Sequence, residues 1–244
     1  MVRCNICGGW FFSDMNMRRK VLCRKCGSLE RTRLLWLYLQ GMDLSKDARI
    51  LHVAPEKGLA KKLAKRVSNG NYIPADIDPS RYSYVKHCIP IDLCDLDDWP
   101  SHDFDLILHS HVLEHTPCDI AYTLYHLHRM LKPNGHHVCV IPFLSGRYDE
   151  SFDDIGDSER KRRFGQFDHV RRFGRENIPE HLGKLLNLPE NFDATEHFPE
   201  SVLRKANIPE DHWKGFHIGT VLILKRDDMT LLREGAGGEP TPPP

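Results

Sequence analysis

Short apolar runs alternate with stretches of helical spacing through the middle of the chain. Arg49-Ile-Leu-His-Val-Ala54, Asn71-Tyr-Ile-Pro-Ala-Asp76, Cys88-Ile-Pro-Ile-Asp92, Phe104-Asp-Leu-Ile-Leu-His109 and His136 to Pro142 read as five short buried strands. Leu59 to Val67 reads as a helix with its basic residues outward. A second helix, from about Ile120 to Leu131, ends at the turn Lys132-Pro-Asn-Gly135. Such alternation predicts parallel strands with helices on both faces. Upstream, Leu29 to Gly41 reads as a helix whose Leu34, Leu35, Trp36, Leu37, Tyr38 and Leu39 are dense enough for burial on most sides. Downstream, Phe192 to Phe198 and His217 to Lys225 read as two more strands. No helix long enough for a crossover separates them, so an antiparallel edge hairpin is expected and the α/β sheet has seven strands.

The N-terminal segment follows neither pattern. Cys4-Asn-Ile-Cys7 and Cys23-Arg-Lys-Cys26 form two tight pairs, fifteen residues apart. Each pair can wrap a backbone knuckle around one metal, and four thiolates suit tetrahedral Zn²⁺. Gly8, Gly9 and Gly27 allow the turns such knuckles need. Two disulfides, or unpaired structural cysteines, are the alternative, but disulfides need an oxidising compartment and Met1 is not followed by an apolar stretch of signal-peptide type. Spacing and compartment together favour structural zinc on Cys4, Cys7, Cys23 and Cys26 in a cytoplasmic protein. With every metal position filled by protein, the chemistry lies elsewhere. The remaining cysteines, Cys88, Cys94, Cys118 and Cys139, are scattered singly and read as core filler.

Charge refines this picture. The 244 residues carry 34 basic and 34 acidic side chains, which argues against a protein devoted wholly to nucleic acid. Residues 1–33, however, hold eight Lys/Arg against two acids. The acidic run Asp149 to Glu159 is followed by the basic run Arg160 to Arg175, inside a passage from Phe143 to Asn177 longer than a simple connection requires. Long connections of this kind are commonly lids or binding loops. No apolar run is long enough to span a bilayer. The Gly/Pro-rich tail, 235–244, cannot bury enough surface to order itself.

In open α/β sheets ligands bind beyond the carboxyl ends of the strands. Those ends are Ala54-Pro-Glu-Lys-Gly58, Asp76-Ile-Asp78, Asp92-Leu93 and Ser110-His111. Asp76 stands about twenty residues beyond the first strand–helix turn, where a nucleoside-binding sheet places its ribose acceptor. The order of motifs over residues 47 to 225 resembles class I S-adenosylmethionine-dependent methyltransferases of the type 11-like branch. Phe104-Asp-Leu-Ile-Leu-His-Ser-His-Val-Leu-Glu-His115 resembles that family's fourth strand and following loop. Leu131-Lys-Pro-Asn-Gly135 is similar to the turn before its fifth strand, and Phe167-Asp-His-Val-Arg-Arg-Phe-Gly174 to a segment beyond it.

The resemblance implies a Rossmann-like methyltransferase domain over 47–230, with a lid-like insertion at about 143–177. A zinc-ribbon-like module over 1–33 and a connecting helix over 34–46 precede it. It implies cofactor contacts from Ala54, Glu56, Gly58, Asp76, Ile77, Asp92, Leu93, Ser110 and His111. Asp92 would accept from the adenine amino group, with Asp95 as the rival acid, and Leu93 would offer its backbone N–H. The first loop departs from the family's Gly-x-Gly-x-Gly turn preceded by an acid. In register, His52 replaces the acid, and Ala54, Glu56 and Gly58 occupy the glycine positions. Glu56 is therefore expected to receive the ammonium of the cofactor's methionine part.

Methyl transfer from a sulfonium is an in-line displacement, and an acceptor hydroxyl or amine gains from a base near neutral pKa. His169 is the first candidate, beside Asp168, Arg171 and Arg172, followed by His111 and His115. Glu114 and His115 could equally cap and orient the next helix. The expected acceptor is a small or glycan-like molecule. RNA is the alternative, reached through the basic zinc segment, although Trp10, Phe11 and Phe12 are expected to pack that segment's core and not to stack bases. A non-enzymatic adaptor with an altered first loop is the reading from another class.

Overall fold

A computed structural model describes residues 1–233; the tail over 235–244, expected to be unordered, lies outside the described residues. Strands β1 (Phe12–Met15) and β2 (Arg18–Cys23) form an antiparallel ribbon, and α1 (Glu30–Gly41) follows. The chain then alternates through β3 (Ile50–Val53), α2 (Lys57–Leu63), β4 (Tyr72–Asp76), β5 (Ile89–Pro90), β6 (Phe104–Ser110), α3 (Ile120–Arg129) and β7 (Leu131–Val140). Next come β8 (Phe143–Leu144), β9 (Asp149–Glu150), α4 (Gly156–Phe164) and β10 (Arg171–Gly174), whose strands make a separate three-stranded sheet. The segment beyond holds α5 (Leu182–Leu185), α6 (Glu200–Lys205) and β11 (Val221–Lys225).

The main sheet runs β11-β7-β6-β3-β4-β5, parallel except for β11, which lies antiparallel on β7. Among the described residues it has six strands, not the expected seven, and its antiparallel edge is one strand and not a hairpin. Phe192 to Phe198 is not extended: Asp193 Oδ1 accepts from Thr195 N at 2.8 Å and caps a short turn over Ala194–Glu196. Such local side-chain bonding competes directly with strand pairing. The expected turn at Lys132–Gly135 is absorbed into β7 as an irregularity in its pairing with β6. Gly135 is required there, since a Cβ would lie 2.7 Å from the Phe104 carbonyl oxygen.

One sheet face, carrying Ile50, Leu106, Leu108, Val138 and Val140, packs with Leu34 and Leu35 of α1 and Leu59 and Leu63 of α2. The other, carrying Leu51, Val53, Ile107 and Cys139, packs with Leu124 and Leu127 of α3. Helix α1 is buried nearly all round, because the N-terminal segment and residues between Phe192 and Trp213 cover its remaining sides. Arg33 ties these parts together. Its fully buried guanidinium donates to the carbonyls of Val21, Ser28, Ala206 and Asn207 at 2.7–2.9 Å, joining the cysteine loops to the end of α6.

Two expectations fail here. Trp10 and Phe11 do not pack a core, being 50% and 78% exposed; Phe12 alone turns in, beneath the Arg33 guanidinium. The segment does not build a core of its own, because Cys4, Ile6, Cys23 and Phe12 pack into the core shared with α1 and α2. Cys94 and Cys118 are not separate filler but a disulfide with Cα atoms 5.7 Å apart, linking the loop after β5 to the approach to α3.

Three histidines form a buried file between β6, β7 and α3. His109 Nε2 meets His137 Nε2 at 2.9 Å, His137 Nδ1 meets His128 Nε2 at 3.1 Å, and His128 Nδ1 reaches the Arg226 carbonyl at 3.3 Å. The carbonyl can only accept, so each ring in turn must donate toward it. Burial pushes His109 and His128 down to about 4, and His137 lies well below the usual imidazole range. The unfolded chain therefore binds these protons first as pH falls, and stability is lost from about pH 6.5 downward. Denaturant unfolding between pH 6.5 and 5 should show a slope approaching at least three protons, about 4 kcal/mol per pH unit. His137→Gln should flatten it by about one proton; an unchanged slope would contradict the assignment.

Candidate functional site

The carboxyl ends of β3, β4 and β6 open into a cavity of about 440 Å³, within the range small-molecule sites occupy. Ala54, Asp76, Ile77, Asp92, Leu93, Ser110, His111 and His115 all line it. Parallel strands put their ends at one edge, so residues scattered over sixty positions converge there. Asp76 is buried, and its two carboxylate oxygens accept from Asp78 N and the Tyr82 hydroxyl, both at 2.9 Å. This pins the carboxylate and leaves further lone pairs for a diol. Asp92 accepts from Cys94 N at 2.8 Å, while the adjoining Cys94–Cys118 bridge holds that loop against the start of α3.

Ala54 has φ +49°, in the left-handed region where glycine is the ordinary occupant. The backbone at the end of β3 thus keeps the sharp turn of a glycine loop without the glycine. His111 has φ +56° at the end of β6, and its Nε2–H donates to the Ile218 carbonyl at 2.8 Å.

Two of the expected cofactor residues lie away from the lining. Glu56 caps α2, and its Oε2 meets His52 Nε2 at 3.2 Å, while Oε1 is buried without a hydrogen-bond partner. Burial alone would raise its carboxyl, but His52 and then Arg31 hold it below the ordinary value. Gly58 faces the cysteine knuckle instead, where a Cβ would meet Ile6 Cγ2 at 3.1 Å. His169 is also set back: it is 3% exposed and donates Nδ1–H to the Phe164 carbonyl at 3.0 Å, edge-on to His115.

Arg31, not anticipated as a site residue, lines the cavity from α1 and attracts both Glu56 and Glu114. The sequence signal was only the basic excess of residues 1–33. Glu114 is buried, with its Oε1 3.3 Å from His111 Nδ1. Burial raises its carboxyl, and His111 more than reverses that. His115 Nδ1 sits 3.2 Å from the Asp168 carbonyl oxygen and 3.5 Å from its carboxylate. Gln166 and Asp168, from beyond α4, complete this side.

The ligand atoms of Cys4, Cys7, Cys23 and Cys26 all lie within 4.8 Å of one another, with Cys4–Cys26 and Cys7–Cys23 sulfurs at 3.7 and 3.5 Å. Tetrahedral Zn²⁺ with bonds near 2.3 Å needs sulfurs about 3.8 Å apart, so the four fit that ion.

A family model described as a methyltransferase domain matches residues 27–182, more than half of the chain. Among solved structures, an S-adenosylmethionine-dependent methyltransferase from Mesorhizobium loti is 15% identical, with a TM-score of 0.50 over 78% of this chain and 96% of that one. A Haloferax volcanii complex between the Trm112 methyltransferase activator and a proposed methyltransferase is likewise 15% identical, with a TM-score of 0.50 over 80% and 87% of the two chains. At this identity the likeness is one of fold. No curated protein matches the sequence.

Replacing Ala54 by Gly should relieve about 1–2 kcal/mol of left-handed strain while adding about 0.5–1 kcal/mol of unfolded-state entropy. The expected result is a small net stabilisation in denaturant titration; a loss of stability would contradict the strained turn.

Proposed function

This chain belongs to the methyltransferase-domain family, and from that premise we propose that it transfers a methyl group from S-adenosylmethionine to a small or glycan-like acceptor. The observation carrying this reading is the convergence of Asp76 and Asp92 on one cavity at the strand ends. Asp76 takes the ribose hydroxyls, Asp92 the adenine amino group, and Leu93 and Ile77 flank the ring. Arg31 supplies a cation for the methionine carboxylate. Glu56, one oxygen of which lacks a partner, receives the ammonium. Gly58 contributes indirectly, by seating α2 closely on the knuckle. Cys4, Cys7, Cys23 and Cys26 hold a structural Zn²⁺.

The protein's part in the reaction is alignment of nucleophile, methyl and sulfur. His115 is the group best placed to take the acceptor's proton, since Asp168 engages Nδ1 and leaves Nε2 for the cavity. His111 and His169 support it from the flank and from behind.

One observation supports RNA as a second reading. Lys25, Lys57, Lys61, Lys62 and Lys65 line a groove beside the cysteine knuckle, with no acid among its lining residues. The exposed rings of Trp10 and Phe11 border an adjoining hollow that shares Lys25. Basic grooves beside exposed aromatics suit single-stranded nucleic acid.

Calorimetry with S-adenosylmethionine tests the proposal. Binding should be measurable in the wild type and at least tenfold weaker in Asp76→Ala, as loss of charge-assisted bonds to a diol implies. Absence of binding at millimolar cofactor would instead support the adaptor reading. Among the described residues no helix is long and apolar enough to cross a membrane.

A further inference from the structure

Behind the acceptor end of the cavity, the ligand atoms of Glu114, His115 and His169 lie within 4.8 Å of one another. The three are in an unusual bonding state. Both Glu114 carboxylate oxygens are buried without a hydrogen-bond partner, and so is His169 Nε2. His169 gives its Nδ1–H to the Phe164 carbonyl, and His115 turns Nδ1 to the Asp168 carbonyl, at 3.0 and 3.2 Å. Carbonyl oxygens only accept, so in both rings the Nε2 lone pair remains free. Two imidazoles oriented by main-chain carbonyls are the usual outer support of metal-ligating histidines. Apart from that cluster, Glu114 Oε1 has only an ion-pair contact with His111 Nδ1 at 3.3 Å, and His111 commits its Nε2–H to the Ile218 carbonyl.

We propose that Glu114, His115 and His169 form a second metal site, distinct from the cysteine knuckle, which takes a divalent transition ion such as Zn²⁺ or Mn²⁺ at the acceptor end of the cavity. Two imidazoles and a carboxylate suit these ions and leave positions open for an outside ligand. Bonds of about 2.0–2.2 Å need ligand atoms roughly 3–3.5 Å apart, so the cluster closes by about an ångström on binding. His115, partly exposed, can supply that movement.

The inference rests on the methyltransferase reading and changes the role of His115 within it. The ion would bind the acceptor hydroxyl and lower its pKa, and the proton passes to the Asp168 carboxylate. The oxyanion then attacks the sulfonium methyl carbon; the carbon–sulfur bond breaks, and its electron pair stays on sulfur as the neutral thioether.

Equilibrium dialysis of the full chain against Co²⁺, with elemental analysis, tests the site. The expected wild-type count is two metals per chain, one of them lost in His169→Gln and Glu114→Gln, with Co²⁺ affinity at least tenfold weaker. His115→Asn, at a more exposed position, should show the same loss if either buried variant misfolds. The near-ultraviolet thiolate-to-cobalt band of the cysteine site reports folding in every variant. One metal in the wild type, or two in all the variants, overturns the proposal. Calorimetry on the same samples separates the two readings, because loss of S-adenosylmethionine binding in the wild type would sink the transferase assignment whatever the metal count.

Discussion

The architecture depends on a guanidinium buried where no carboxylate meets it. Arg33 satisfies itself on four main-chain carbonyls drawn from the two ends of the chain. Burial brings it down to about 10, against the pull of the cysteine sulfurs nearby. A buried cation so fully bonded is costly to misplace, and removing it would leave those carbonyls unpaired. It therefore fixes the direction of α1, and with it Arg31, two residues earlier on the same helix. The N-terminal segment thus braces the helix that carries Arg31 into the cavity wall.

The polar residues beneath the cavity form one connected system. Arg31 lies between two carboxylates, Glu56 and Glu114, each of which also faces a histidine. No member is satisfied by its neighbours alone, since Glu56 Oε1, both Glu114 oxygens and Arg31 Nε lack hydrogen-bond partners. Native proteins tolerate such deficits where a ligand completes the bonding. Lone pairs and cations left over on adjoining walls are what an amino acid's charged groups require.

Much of this was legible in the sequence because it follows from periodicity and spacing. Five parallel strands, the helix from Glu30 to Gly41, the cysteine pairs, and the strand-end positions of Asp76, Asp92 and His111 needed only local signals. The failures share a different cause. Phe192 to Phe198 has strand composition, but Asp193 diverts its backbone into a turn. Cys94 and Cys118 carry no spacing motif, and only the packing of two loops brings them together. Arg31 looked like one of eight basic residues in a charged segment; its role comes from the angle at which Arg33 sets the helix. His109, His128 and His137 are unremarkable singly, and their file exists only where two strands and a helix meet.

The contact between Ile6 and Gly58 has a consequence for how the molecule can be divided. Gly58, in the first turn of α2, leaves room for a side chain of the cysteine knuckle. Excising the first thirty residues would leave an empty socket on α2 and uncover the apolar flank of the helix behind it. Cys4, Ile6 and Cys23 share one continuous core with α1, α2 and the sheet, so neither part can be lifted away without opening the other to water.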